Sequence, residues 1–145
     1  MIKRRCKAIL SNAIEECDQE INELSEEMRG AFEGTPEVFQ DTAGRPREEA
    51  ADRLEVAHDF LSGSDIPRSL RDEQVEWHEM RAGRNGKIFR PARRDNVVRC
   101  LEACVRLLTM RPETEEITKL KTNWQYAIDV LRAVYFPGMT ARRAA

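Results

Sequence analysis

The residues best suited to bind a ligand are basic, and they cluster in one part of the chain. Seven arginines and lysines lie between residues 81 and 99, interspersed with aromatic and amide side chains. Guanidinium groups bind phosphate oxygens in pairs, and aromatic rings stack on bases or on guanidinium groups. We therefore predict a surface that binds phosphates or an acidic partner, formed by Trp77, His78, Arg81, Arg84, Asn85, Lys87, Phe89, Arg90, Arg93 and Arg94.

The same arginines have an alternative role as a solubilising surface. In that role they form ion pairs with the acidic side chains of the first two helices. Surface charge alone rarely indicates function. The sequence leaves both interpretations open.

Catalytic motifs are not apparent in the sequence. It contains no phosphate-cradling glycine loop and no glycine-flanked serine. A catalytic His78 would need an oriented base and a nucleophile, and neither is visible. His58 is interpreted as a partly buried structural residue. We expect a protein that is not an enzyme and needs no cofactor; the alternative is an enzyme whose site forms between subunits.

The four cysteines are predicted to pack in the core. Cys6, Cys17, Cys100 and Cys104 occupy apolar positions of apparent helices, and the short loop that usually presents a cysteine pair to zinc is missing. We therefore expect no metal and a reducing compartment. No apolar run is long enough for a signal peptide or a membrane span, so we expect no membrane association.

Length and charge indicate one domain of ordinary size. The chain has 145 residues, 41% of them apolar, and a net charge of −2. Charges that nearly cancel exclude a nucleic-acid binder driven by total charge. We predict a mainly α-helical domain spanning residues 1–145, with a long heptad-type N-terminal helix and one β-hairpin. Its parts are a helical half at 1–63, a linker at 64–74, the hairpin at about 75–91, two helices within 92–137 and a tail at 138–145.

The N-terminal helix is predicted from apolar residues that recur every seven positions between Lys7 and Ala31. A helix of about 30 residues would be roughly 45 Å long. That is longer than a compact domain needs, so we expect self-association, in the simplest case as a dimer. The predicted oligomerisation seam consists of Leu10, Ile14, Cys17, Ile21, Leu24 and Met28.

The hairpin is predicted from Asn85-Gly86, a dipeptide typical of a type I′ turn. This turn would place Arg81 opposite Arg90, a like-charge pair that a bound anion would relieve. Pro91 would then end the second strand. Asp95 or Asn96 is expected to cap the third helix.

One segment resembles part of a group of small proteins of bacteriophages and prophages. It is LSEEMRGAFEGTPEVFQDTAGRPREEAADRLE, in which a charged helix runs into an A-F-x-x-x-P-E-x-x-Q turn and a second helix rich in alanine and glutamate. The matching residues are Ala31, Phe32, Pro36, Glu37 and Gln40. The resemblance implies a phage accessory protein in the cytoplasm of an infected or lysogenic bacterial host.

Two functions follow from these observations. The first is a non-catalytic, self-associating binding protein that uses the Arg-rich hairpin to hold a nucleotide or a nucleic acid. The alternative is a protein–protein inhibitor of a host defence or regulatory factor.

Overall fold

The computed structural model describes residues 2–82 and 88–137. The predicted fold class is confirmed: this part of the chain is mainly helical and contains one antiparallel pair of strands. The elements in chain order are β1 (Ile2–Ile9), α1 (Leu10–Glu33), one turn of 3-10 helix (Glu37–Phe39), α2 (Arg45–Leu61), β2 (Gln74–Arg81), α3 (Arg90–Thr109) and α4 (Glu115–Arg132).

The four helices surround one apolar core. Helices α1 and α4 each pack against both α2 and α3. One face of α2 is buried, with Ala50, Ala51, Leu54, Ala57 and Leu61 at helical spacing. Ile66 and Leu70, within the stretch predicted as a linker, are also buried in this core. None of the helices in residues 2–82 and 88–137 has the length and apolarity needed to cross a membrane.

Helix α1 starts later than the heptad pattern predicts. It begins at Leu10, and the residues before it form β1. The backbone N–H of Leu10 donates to the carbonyl of Glu73 at 2.8 Å, and that of Ser11 donates to the carbonyl of Arg71 at 3.2 Å. These bonds satisfy N–H groups that the first turn of a helix leaves without partners. The predicted helical start near Lys7 is therefore wrong.

The predicted oligomerisation seam is not an intersubunit surface. All six of its side chains are at most 5% exposed within a single chain, because α2 and α3 cover that face of α1. The seam therefore gives no basis for self-association. The residues concerned are Leu10, Ile14, Cys17, Ile21, Leu24 and Met28.

The strand that pairs with β2 is also different from the one predicted. β1 runs antiparallel to β2, in a register from Ile2 opposite Arg81 to Ile9 opposite Gln74. Arg90 is the first residue of α3, so the predicted second strand up to residue 91 is wrong. Pro91 lies in the first helical turn, where the N–H that proline lacks would have no partner anyway. The expected hairpin turn at 85–86 lies outside the described residues.

Candidate binding surface

The two-stranded sheet, here called the ribbon, has one buried face and one exposed face. Side chains alternate along a strand, and Val75 and Trp77 are buried on the side towards the helices. The opposite side carries basic residues of β1 beside Glu76 and His78 of β2. This exposed side, the ribbon face, consists of Lys3, Arg5, Lys7, Glu76 and His78.

The ribbon is positively charged although the chain is not. The residues of β1 and β2 include five lysines and arginines and two glutamates, which gives a net charge of +3 against −2 for the whole chain. On the ribbon face, Glu76 accepts from Arg5 at 2.6 Å and lies 3.3 Å from the ammonium group of Lys7. Hydrogen bonds from Arg5 and then Lys7 lower the pKa of Glu76. Because exposed ion pairs stabilise little, these cations can exchange Glu76 for an external anion.

The arginines of α3 are held by acids of α1. Arg93 donates to Glu20 at 2.5 Å and lies 2.8 Å from Glu27, while Arg90 donates to Glu27 at 3.0 Å. Partial burial acts to raise the pKa of Glu27, but hydrogen bonds from Arg93 and Arg90 outweigh it and lower that pKa. These pairs join α3 to α1, as the alternative interpretation of the sequence expects. They leave Arg90 and Arg93 less suited to an external phosphate.

Arg94 has a structural environment of its own. It donates to the backbone carbonyls of Leu131 at 2.9 Å and Val134 at 2.7 Å, at the C-terminal end of α4. Its guanidinium carbon lies 5.6 Å from the centre of the Phe136 ring. Arg94 therefore fastens α3 to the end of α4.

The remaining predicted ligand residues that the structure describes do not form one surface. His78 is exposed on the ribbon face opposite Arg5, whereas Trp77 is buried on the other face. Arg81 pairs with Glu79 and lies opposite Ile2 rather than Arg90. Phe89 is half exposed just before α3. Three predicted residues lie outside the described part of the chain: Arg84, Asn85 and Lys87.

A cavity of about 200 Å³ lies between β2, α1 and α3, beneath the ribbon. Trp77, Cys17 and Cys100 form part of its wall. Its charged groups are largely paired with one another, because Arg93 binds Glu20 and Arg81 binds Glu79. The cavity therefore has few polar groups left to bind a ligand.

Three of the cysteines are buried, as core packing predicts. Cys17, Cys100 and Cys104 are at most 3% exposed, whereas Cys6 lies in β1 rather than on a helix. Contact with Cys100, together with burial, raises the pKa of the Cys104 thiol well above its ordinary value. A protonated buried thiol is a poor nucleophile. Across the described residues, no three or more His, Cys, Asp or Glu side chains form a group able to hold a metal ion.

Sequence reasoning missed the basic residues of β1 and the role of Asn96. The alternation of Lys3, Arg5 and Lys7 was a signal for a strand with one basic face. Asn96 lies inside α3 rather than at its start. It accepts from the backbone N–H of Met80 and donates to the Met80 carbonyl, both at 2.8 Å. Its amide thereby fastens β2 to α3.

Comparison of the chain with protein-family models, curated proteins and solved structures found no match. What the protein does has therefore to be inferred from its own residues.

Proposed function

We propose that the protein is a non-catalytic binding protein that holds an acidic segment of another protein on its ribbon face. The observation that carries this proposal is the row formed by Lys3, Arg5 and Lys7. The three cations project from one face of a strand that contacts little besides β2 and the start of α1. Within the described residues Arg5 and Lys7 pair only with the exposed Glu76, and the three cations are the basic groups of this part of the chain best placed for an external anion.

An acidic polypeptide suits this surface better than a nucleic acid does. The cations recur at every second residue, which is also the repeat of side chains on one face of an extended peptide. The acidic outer side of α1 begins soon after β1, with Glu15 and Glu16 exposed, and it opposes a long polyanion. Aromatic residues that would stack on bases are missing from the ribbon face as described, since Trp77 points to the core.

In the phage context that the sequence resemblance implies, the acidic partner would be a host defence or regulatory protein. The protein would then act by occupying that partner's surface. Such inhibition needs no catalytic group.

Nucleic acid is the second candidate ligand. The observation in its favour is the ribbon itself, because a two-stranded antiparallel ribbon fits the major groove of duplex DNA. The cations of β1 would then contact phosphates, and affinity would fall steeply with salt.

The first test measures binding of a short peptide of alternating glutamate and threonine, and separately of a short DNA duplex, at low salt. The ribbon variant Lys3→Ala/Arg5→Ala/Lys7→Ala should bind the peptide at least about tenfold more weakly, because it loses the complementary charges. The control Arg68→Ala/Arg106→Ala/Lys119→Ala removes three cations from exposed sites elsewhere. It should bind within about twofold of the parent.

Equal losses in both variants would show that only total charge matters and would overturn the proposed site. Tighter binding of the duplex than of the peptide would favour the second candidate. Melting temperatures of both variants establish that each is folded.

A further inference from the structure

The outer edge of β1 is the place where the backbone of the ribbon is open to a partner. In an antiparallel pair, residues alternate between those that bond across the pair and those whose backbone groups point away from it. Both Met80 backbone groups bond to Asn96, on the side of β2 away from β1. Met80 lies opposite Lys3. The backbone groups of Lys3 therefore also point away from the pair.

The same alternation assigns the other residues of β1. Arg5 and Lys7 lie two and four residues after Lys3 in the strand, so their backbone N–H and C=O groups point outwards as well. Arg4 and Cys6 alternate with them and bond to β2. None of the hydrogen bonds within residues 2–82 and 88–137 satisfies the outward groups of Lys3, Arg5 and Lys7.

The two edges of the ribbon differ in whether a helix covers their outward backbone groups. The outer edge of β2 faces α3 and is fastened to it by Asn96. In the part of the chain that the structure describes, the outer edge of β1 meets no helix along most of its length. The ribbon gains its stability from packing of β2 against α3, whereas the open edge of β1 can receive a third strand.

A second copy of this chain does not fit that edge. Antiparallel pairing of β1 with itself would place the run from Lys3 to Lys7 against the same basic run. Like charges directly opposite each other destabilise a sheet, and lysine on an edge strand opposes self-pairing. The edge instead complements an acidic strand.

We infer that the acidic partner binds as an extended strand, added antiparallel along the outer edge of β1; this inference rests on the proposed function. Its acidic residues lie directly opposite Lys3, Arg5 and Lys7. Directly paired residues of an antiparallel ladder have side chains on the same face, so the acids meet the cations on the ribbon face. The partner's intervening residues project to the other face, opposite Arg4 and Cys6.

This geometry specifies which partner N–H groups are needed. The outward groups of Lys3, Arg5 and Lys7 bond to the residues directly opposite them, and these are the acidic ones. The N–H groups of the intervening residues point away from β1. The requirement therefore concerns the backbone of the acidic residues, in addition to their charge.

The test uses the alternating glutamate–threonine peptide in three forms and the unmodified protein. One form is unmodified, one is N-methylated at its glutamates, and the control carries the same number of N-methyl groups at its threonines. All three have the same charge. Methylation at glutamate should weaken binding at least about tenfold, because it removes the N–H groups that face β1. Methylation at threonine should change binding by no more than about twofold, since those N–H groups point away.

Equal affinity of the two methylated forms would overturn strand addition. If the unmodified peptide also bound, and bound more weakly to the ribbon variant, the proposed function would survive that result. No binding of the unmodified peptide would overturn the proposed function as well.

A second readout is amide hydrogen exchange followed by NMR. On addition of the unmodified peptide, the amides of Lys3, Arg5 and Lys7 should become protected. Those of Arg4 and Cys6 should be protected already in the free protein, because they bond to β2. Binding without new protection at the three outward amides would contradict the inference.

Discussion

The side chain of Asn96 fixes the position of the ribbon on α3. It is buried, and its amide bonds to both backbone groups of Met80. Asn96→Ala leaves those two groups without their partner, and an unsatisfied buried polar group costs about 1–3 kcal/mol. We expect the free energy of unfolding to fall by about 2 kcal/mol or more in urea denaturation.

The control for this variant is Asn22→Ala, in an exposed position of α1. Its effect should stay within about 0.5 kcal/mol, as is usual for surface substitutions. Equal effects of the two changes would show that the Asn96 amide contributes no special stability.

Glu27 should give the protein a measurable acid sensitivity. Its pKa is lowered in the folded state, where Arg93 and Arg90 bind it. A lowered folded-state pKa contributes stability above the unfolded value of about 4.3, and this contribution is lost as the pH falls through the folded-state pKa. Glu27→Gln should therefore cost about 1 kcal/mol near neutral pH, allowing for solvent screening, and progressively less below about pH 4.

Urea denaturation of the parent and of Glu27→Gln across that pH range checks this prediction. Glu26→Gln, at the adjacent exposed position, is the matched control and should show no comparable dependence. A gap between parent and Glu27→Gln that did not change with pH would mean that the ion pairs to Arg90 and Arg93 are not its cause.

The helices were predictable from the sequence because their signals are local. The apolar residues of α2, for example, recur with helical spacing in the sequence and are buried. The signal for β1, the spacing of Lys3, Arg5 and Lys7, was weaker, because Arg4 is basic as well and because Ala8 and Leu10 continue a pattern that is also compatible with a helix. Its strand conformation depends on β2, and the paired residues Arg5 and Glu76 are 71 positions apart. Tertiary pairing overrides local propensity in such a case.

The candidate site was predictable only in its chemistry. An excess of arginine in residues 81–99 indicated an anion-binding surface. Arg90 and Arg93, however, pair with glutamates of α1 across the interface between α1 and α3. Which cations remain accessible depends on how α1 and α3 pack, and no local pattern encodes that. The type I′ turn signal was likewise insufficient to predict a strand after it, because a helix begins at Arg90.

At the scale of the whole molecule, burial of the α1 seam within one chain determines what a charge in the centre of the seam should do: it should destabilise the fold. Ile21 is fully buried within one chain. An unpaired carboxylate there should cost about 3–5 kcal/mol. Ile21→Asp should therefore unfold or strongly destabilise the protein rather than separate folded subunits.

Thermal melts combined with light scattering at micromolar concentration decide this. Asn22→Asp introduces the same carboxylate one residue away, at an exposed position, and should leave the melting temperature nearly unchanged. A folded Ile21→Asp protein with a smaller mass than the parent would restore the seam as an interface between subunits.

The pairing of β1 with β2 has a consequence for biosynthesis. β1 leaves the ribosome well before its partner β2, which ends at Arg81. Helices α1 and α2 follow each other closely in the chain and pack directly, so they can associate while translation continues. Contacts between distant residues form later, because a long loop must close first. The nascent chain thus carries β1 as a basic, unpaired segment until β2 emerges, and the ribbon is completed only after the first helical pair.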